Sequence, residues 1–265
     1  MNAQEFYQAG QLDNAIEAAT AAVKKKPMDS GARGFLTELL IINREWERAD
    51  KQLDFIGHQD PNAMAAVALW RQLIRAGQAR DQFFSDGRVP EVLEIPNDLV
   101  QMYLKAAVNI RENNIAEANN TLAEAENARP KLKGTLDGQT FSDFRDLDDS
   151  APGVLEVFTS TGKYYWIPMS RIVSLSFYEA ESPLDLIMRR AHLQINDEGP
   201  DGEVYIPAIY QTFQEEDRSN LLLGRATDWV GEENQPVFGV GQRMFLVDDE
   251  AKTIMELGDI EIAQD

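Results

Sequence analysis

The side chains that could do chemistry in this chain are two histidines, three acidic clusters and several arginines near tryptophans. His58 and His192 lie far apart, and neither belongs to a pattern typical of a nucleophilic triad. The metal-binding HExxH pattern and the nucleotide-binding GxGxxG and GxxxxGK[ST] patterns are absent. There is no cysteine, which excludes thiolate metal sites and disulfides. The residues therefore predict no enzyme activity and no cofactor.

The acidic clusters are the next candidates, because alternating carboxylates can bind calcium or magnesium. None of them has the spacing or the closing glutamate of an EF-hand loop. The last cluster lies between apolar RMFLV and KTIMEL, which favours a hairpin turn. We predict no metal site in these clusters, which are Asp146 with Asp148 and Asp149, Glu215 with Glu216 and Asp217, and Asp248 with Asp249 and Glu250.

Arginines and tryptophans of the second half form the more informative set. Both residue types are enriched at the energetic centres of protein interfaces. An interaction surface is one interpretation, and internal ion pairs with nearby carboxylates are the other. The predicted partner-binding residues are Trp166, Arg171, Arg225, Trp229 and Arg243.

The net charge of −20 limits the possible partners. Residues 131–265 carry 26 acidic and 11 basic residues, against 19 and 14 in residues 1–130. Such a field repels the phosphates of nucleic acid, which we exclude as a partner. The first residues lack the basic and apolar regions of a signal peptide, and no run suits a membrane span. We expect a soluble, cytoplasmic protein that does not contact the membrane.

Helical hairpins are predicted for residues 1–130. Leu12 and Trp46, Ala15 and Ala49, and Pro27 and Pro61 each lie 34 residues apart, which is the period of the tetratricopeptide repeat. Apolar residues recur at helical spacing, with a turn at Gly10 and Asp13 as the cap of the second helix. Phe83, one period after Ala49, breaks the pattern, so the array is short. Its groove is a second possible docking surface for a partner helix.

The composition changes after Pro130. Glycine, aspartate, serine and threonine dominate residues 131–150, which we interpret as a linker into a second domain. From residue 151 to 265 the apolar period is close to two, which is typical of strands. SPLDLIMRRAHLQIN favours either a short helix or a strand. The predicted fold is α+β, with tetratricopeptide-like hairpins followed by a mostly antiparallel β domain with one or two helices.

The second half also carries stretches that resemble a known family. These are RDLDDSAPGVLEVFTSTGKYYWIP, then LLGRATDW, then GVGQRMFL, after a repeat-like helical region. Gly162, Tyr164, Trp166 and Pro168 stand where the family pattern has them. In this order and over nearly the full length, the chain resembles the ImpE family, also called TagJ or SciE-type proteins, which are encoded with bacterial type VI secretion systems.

The resemblance implies a cytoplasmic adaptor without enzyme activity. It implies binding to the small subunit of the contractile sheath through a helix near that subunit's N-terminus. A role in sheath assembly, or indirectly in recycling by the ClpV-type ATPase, would follow. The alternatives are an enzyme, ligand-binding or metal-binding domain in the second half, or a general repeat scaffold. A deep polar pocket that joins Asp148, Arg225 and Arg243 would favour the ligand-binding alternative.

Overall fold

The computed structural model of the chain describes residues 1–94, 96–196, 199, 201–211, 218–232 and 235–264. Helices fill the first half, and antiparallel strands make up most of the second. The predicted α+β class is confirmed, with the tetratricopeptide-like hairpins placed first. Within the described ranges, no helix is both long and apolar enough to cross a membrane.

Short polar residues set the starts of the helices. Asn2, Asp29 and Asn97 each accept a hydrogen bond from the third helical amide, which has no partner inside the helix. The prediction that Asp13 caps the second helix is wrong: Gln11 holds the cap position, and Asp13 lies in the first turn, where its charge suits the helix dipole. The helices of the first half are α1 (Ala3–Gln8), α2 (Leu12–Lys25), α3 (Ser30–Ile42), α4 (Trp46–Gln59), α5 (Met64–Asp86), α6 (Asp98–Arg111) and α7 (Ile115–Ala128).

The 34-residue offset marks both the packing and the turns of the first two hairpins. Ala15 and Ala49 are completely buried, and their small side chains let neighbouring helices approach closely. Gly10 and Arg44 are also one period apart, and both turns use a left-handed backbone, with φ of 74° and 59°. Phe83 ends the pattern because its ring is buried against the sheet. The repeat therefore breaks where the helices meet the second half.

The strands form three antiparallel sheets in the described residues. The large sheet has the order β2-β1-β13-β6-β7-β8-β4-β5, and the smaller ones are β12-β11-β3 and β10-β9. A short helix, α8 (Arg218–Leu222), precedes β9. The strands are β1 (Gly134–Leu136), β2 (Gln139–Phe141), β3 (Phe144–Asp146), β4 (Val154–Phe158), β5 (Tyr164–Pro168), β6 (Ile172–Phe177), β7 (Met188–Ile195), β8 (Asp201–Pro207), β9 (Thr227–Val230), β10 (Phe238–Gly241), β11 (Met244–Val247), β12 (Glu250–Thr253) and β13 (Asp259–Ile262).

Two segments take structures that their composition left open. Residues 131–150, interpreted from sequence as a linker, contain β1, β2 and β3. β1 and β3 pair with strands from the end of the chain, and β2 pairs with β1 at the sheet edge. The segment SPLDLIMRRAHLQIN, for which a short helix and a strand were both considered, contains one of each. Pro183–Leu186 forms a short 3-10 helix, and Met188–Ile195 forms a central strand of the large sheet.

Strand β4 shows how the large sheet divides the interior. Val154 and Phe158 pack with the helices, whereas Leu155 and Val157 pack in a second apolar cluster on the opposite face. Successive side chains of a strand point to opposite faces. Glu156 therefore points toward the helices, into the region where the candidate site lies.

Candidate functional site

A cavity of about 240 Å³ lies between helices α5 and α6 and the sheet half of the chain. The helices supply most of its apolar wall, and the strands and their connecting segments supply most of its polar floor. Its lining residues are Arg80, Phe83, Phe84, Ala107, Ile110, Arg111, Asp146, Asp148, Ser150, Ala151, Val154, Glu156, Trp166, Tyr210, Gln211, Phe238 and Arg243.

The apolar wall is built around Phe83 of α5. Its ring lies edge-on to Phe84 and to Trp166, with centroids 4.8 Å apart in both pairs. Such edge-to-face contacts add to the stabilisation from area burial alone. Ile110 and Phe238 are half-buried and complete the wall on the side toward solvent. The rings give the cavity a defined shape, because their close packing fixes one another's rotamers.

The polar floor is centred on the buried carboxylate of Glu156. Arg80 donates to both carboxylate oxygens, from Nε and from Nη2, at 2.8 Å each. Arg243 donates from Nη2 to the second of these oxygens, so one carboxylate holds two guanidinium groups. The three side chains come from α5, from β4 and from the residue just before β11, and all three are buried. This ion cluster joins the helical and sheet halves of the chain.

Burial by itself would raise the pKa of Glu156. The charges of Arg80 and Arg243 oppose that effect and hold the pKa of this carboxyl well below its usual range. Tyr164 adds a hydrogen bond from its hydroxyl to Glu156, and the indole N–H of Trp166 donates to the same hydroxyl oxygen at 2.6 Å. Glu156 is therefore ionised at neutral pH and fully engaged. A carboxylate held in this way is poorly suited to act as a base.

Asp146 and Asp148 belong to the same cavity but have a different role. The Asp148 amide and the Tyr210 hydroxyl both donate to Asp146 at 2.8 Å. Asp148 in turn accepts hydrogen bonds from the backbone amides of Ser150 and Gly239. Asp149 accepts one from the amide of Val237. The RDLDD stretch is thus a backbone clamp that fixes strand β10 above the cavity.

Burial is also the main influence on the pKa of Asp146. It raises the pKa of Asp146 to about 7, although the positive charge of Arg243 partly opposes the shift and Asp148 adds to it. Burial raises the pKa of Asp148 as well. Asp146 Oδ2 lies 3.5 Å from Arg243 Nε, which has no hydrogen-bond partner although it is buried. Asp146 and the Arg243 Nε therefore have fewer hydrogen-bond partners than the carboxylate of Glu156.

Within the described part of the chain, no group of three or more histidine, aspartate or glutamate side chains could hold a metal ion. The second predicted acidic cluster, Glu215 to Asp217, lies outside the described residues. Asp248 sits at the predicted hairpin turn between β11 and β12 and accepts hydrogen bonds from the Ser142 and Asp143 amides. Its role in this structure is to tie two turns together.

The five predicted partner-binding residues are dispersed. Trp166 and Arg243 are both 3% exposed and meet at the cavity. Arg171 pairs with a neighbouring carboxylate at 3.2 Å, and Arg225 donates to the carbonyl oxygens that end α1. Trp229 is 37% exposed on the β9–β10 hairpin. Arg171 and Arg243 have carboxylate partners, whereas Arg225 contacts backbone carbonyls and Trp229 keeps an accessible surface. Partner binding by these five residues stays a prediction.

The sequence interpretation missed the centre of the site, which is the pair Arg80 and Glu156. A usable signal was present, since each is a charged residue among apolar ones: Glu156 in VLEVF, and Arg80 on the inner face of α5 with Gly77 and Phe83. Charged residues are rarely fully buried unless they are paired. This signal was not used, and pairing the two charges would in any case have required knowledge of which helix covers which strand.

Neither histidine lines this cavity. His58 contacts the carbonyl of Asp54 within its own helix. His192 contacts Asp201 across the β7–β8 pair, and both of these side chains are exposed. Neither histidine has a nucleophile beside it in the described contacts.

Comparisons with known proteins agree with the architecture. Residues 138–261 match the family described as ImpE protein. The chain is 30% identical over 262 residues to the type VI secretion system accessory component TagJ of Pseudomonas aeruginosa, covering 98% of this chain and 91% of that protein. A crystal structure of a Vibrio parahaemolyticus protein matches with a TM-score of 0.91 at 26% identity, covering 99% of this chain and 98% of that one. The chain therefore belongs to the ImpE family.

Proposed function

We propose that this protein is an accessory adaptor of a bacterial type VI secretion system. It acts without catalysis, in the cytoplasm, and binds the small subunit of the contractile sheath through a helix near that subunit's N-terminus. The observation that carries the proposal is the 30% identity to the accessory component TagJ over 98% of the chain. Near-complete coverage matters here, because the helical half and the sheet half are both retained.

The chemistry of the cavity supports a binding role over a catalytic one. Glu156 is held by two arginines and a tyrosine, and Asp148 is held by backbone amides. A general base needs a free lone pair within reach of a substrate proton. Glu156 and Asp148 instead use their oxygens to hold the fold together, so neither is suited to act as a base.

The proposal is tested by a pull-down with purified proteins. The tagged full-length chain is mixed with the sheath small subunit, and separately with that subunit lacking its N-terminal segment. Retention of the intact subunit, and loss of retention after truncation, is the expected result. If the intact subunit is not retained, or if truncation makes no difference, the proposal is wrong. A role in recycling is tested by adding the chain to sheath disassembly by the ClpV-type ATPase.

A second candidate function is small-ligand binding in the cavity. The observation that favours it is that Asp148 and Arg243 both line one partly polar cavity. Arg225 does not join them, since its guanidinium donates to the carbonyl oxygens of Tyr7 and Gln8. Native mass spectrometry of the purified protein distinguishes the two functions. A stoichiometric small molecule that is lost in an Arg243→Met variant would support the ligand, and a bare chain mass would oppose it.

A further inference from the structure

An open groove of about 440 Å³ runs beside the cavity, between helix α7 and the β9–β10 hairpin. Ile115 and Asn119 line it from the helix, and Val230 and Pro236 line it from the hairpin. Ile110 and Phe238 line both the groove and the cavity, so the two spaces adjoin. A ligand lying in the groove would therefore pass directly over the mouth of the cavity.

The groove exposes apolar side chains on both of its walls. Ile115 is 41% exposed, and Val230 is 38% exposed. Trp229, also 37% exposed, adds apolar surface on the same hairpin. Apolar surface grouped in a concave site, with polar residues around it, is typical of interaction sites, whereas single exposed apolar residues are ordinary.

The size of the cavity indicates what it can hold. Pockets for drug-sized molecules are usually about 300 Å³ or larger, whereas an apolar cavity of about 150 Å³ is enough for benzene. A volume of about 240 Å³ lies between these limits and suits one large apolar side chain. The aromatic wall of Phe83, Phe84 and Phe238 would surround such a group.

The charges of the floor agree with an uncharged anchor. Glu156 is neutralised by Arg80 and Arg243, and Asp146 lies beside Arg243. Two further charged residues line the cavity and are held by the backbone: Asp148 accepts from the amides of Ser150 and Gly239, and Arg111 donates to the carbonyl oxygen of Phe83. The charged side chains named here are thus already engaged within the fold, which favours an uncharged anchor. An apolar group entering the pocket would displace water from the rings and leave the ion cluster intact.

Three acidic residues, one lining the groove and two close to its lining residues along the chain, form what we call the acidic rim. Glu232 lines it, Glu112 precedes Ile115 by three residues, and Asp228 lies two residues before Val230 on the same strand. All three of these acidic residues are exposed. The excess of acidic residues in the second half of the chain acts in the same direction. Electrostatic complementarity then favours an occupant with basic residues beside its apolar face.

We infer that the groove docks an amphipathic helix that inserts one large apolar side chain into the cavity and places basic residues against the acidic rim. The inference rests on the proposed function for the identity of the occupant, which is the N-terminal helix of the sheath small subunit. Helix-in-groove recognition uses apolar anchors at helical spacing, as this arrangement requires. Neither space is lined by α1 or α2, so the docking site differs from the concave face of the first hairpins.

Substitution of exposed groove residues by lysine tests the docking site. Ile115→Lys and Val230→Lys each remove an apolar contact and oppose a basic partner. The matched control is Val108→Lys on α6, because Val108 is 42% exposed, does not line the groove and undergoes the same charge change. We expect the groove variants to weaken binding of the small subunit at least tenfold by calorimetry, and the control to bind like the unmodified chain.

A second variant tests the anchor pocket. Ala107→Leu adds bulk to the cavity from α6, where leucine is a good helix former. Binding of the small subunit should weaken while the urea midpoint stays within error of the unmodified chain. Unchanged affinity for Ala107→Leu would overturn the insertion of an anchor side chain. Unfolding of this variant would not remove the test, because the exposed lysine variants address the same docking site.

The outcomes separate the inference from the proposed function. If the unmodified chain binds the small subunit and all three lysine variants bind equally well, the groove is not the docking site but the adaptor function stands. Equal weakening by all three variants would also overturn the inference, because net charge would then explain the loss. Absence of binding by the unmodified chain would refute the proposed function and this inference together. Dimers that dissociate on Ile115→Lys in analytical ultracentrifugation would assign the groove to a second copy of the chain and overturn the inference.

Discussion

Glu156→Gln is the most informative substitution in the buried ion cluster. It keeps the shape of the side chain and removes its charge. Two guanidinium groups, those of Arg80 and Arg243, then face each other across a neutral amide in a buried site. The amide also brings N–H donors of its own, so at least one donor loses its acceptor. The hydroxyl of Tyr164, which donates to the Glu156 carboxylate, also loses its charged acceptor.

The size of the effect follows from the local charges. Two unit charges about 4 Å apart interact by about 4 kcal/mol at an effective dielectric constant of about 20. Desolvation offsets much of that attraction while the cluster is intact, but the desolvation of the arginines persists when the carboxylate is lost. Breaking a buried pair from one side typically costs about 3–5 kcal/mol. Because Glu156 serves two arginines, we expect the upper end of this range.

Urea unfolding, followed by circular dichroism and tryptophan fluorescence, measures the change. The matched control is Glu203→Gln, which removes the charge from an exposed glutamate paired with Arg190 at 3.8 Å. An exposed pair of this kind contributes at most about 1 kcal/mol. Arg243→Met is a further comparison, since it leaves Arg80 and Glu156 paired. The expected order of destabilisation places Glu156→Gln first, Arg243→Met second and Glu203→Gln last.

The reasoning fails if Glu156→Gln and Glu203→Gln lower the free energy of unfolding by similar amounts. It also fails if Arg243→Met is the more costly change, because that order would mean the arginine is held for packing and not for charge balance. The pKa of Glu156 is held low by its partners, so its carboxylate stays ionised at pH 5 and above. The cost of Glu156→Gln should therefore be the same at pH 5.5 and pH 8.

Titration and backbone packing give two further tests. Burial raises the pKa of Asp146 to about 7, so between the unfolded value near 4 and this value the folded state holds more protons. Stability should therefore fall by up to about 3 kcal/mol as pH rises from 5 to 8. Asp146→Asn should flatten that slope in urea midpoints, and an unchanged slope would contradict the assignment. Gly239→Ala should cost about 1–3 kcal/mol, because an added Cβ would overlap the Tyr210 ring, whereas Gly202→Ala meets open space and should be nearly neutral by the same assay. Equal midpoints for the two alanine variants would argue against the close approach of β10 to Tyr210.

The ion cluster is one of several contacts that link the two halves of the chain. Arg80 reaches from α5 to Glu156 and to the carbonyl oxygen of Ile209. Arg44, at the left-handed turn after α3, donates to the side chain of Gln211. The apolar cluster of the helices continues into β4 and β5 without a gap. An adaptor built in this way presents its groove on a single body, which favours a defined docking geometry.

The spacing of apolar and small residues along the sequence was enough to predict the fold class. Ala15 and Ala49 lie 34 residues apart, and this spacing predicted the helical hairpins. Both are buried, because a small side chain at this position lets neighbouring helices pack closely. The apolar period close to two after residue 151 predicted strands, and β4 and β5 are the first two of them. Both patterns depend on backbone periods that neighbouring residues along the chain set together. The linker interpretation of residues 131–150 used composition only, and composition is blind to pairing with strands more than 100 residues away.

What the sequence determined by itself was the class of fold, the placing of the helices before the strands, and the family. Only the tertiary structure decided which charges meet. Arg80 and Glu156 are 76 residues apart and become a bidentate pair because α5 packs on one face of β4. The cavity and groove likewise exist only where α6 and α7 approach the β9–β10 hairpin. Such contacts depend on packing between segments far apart in the sequence, and the periodicity within each segment does not predict them.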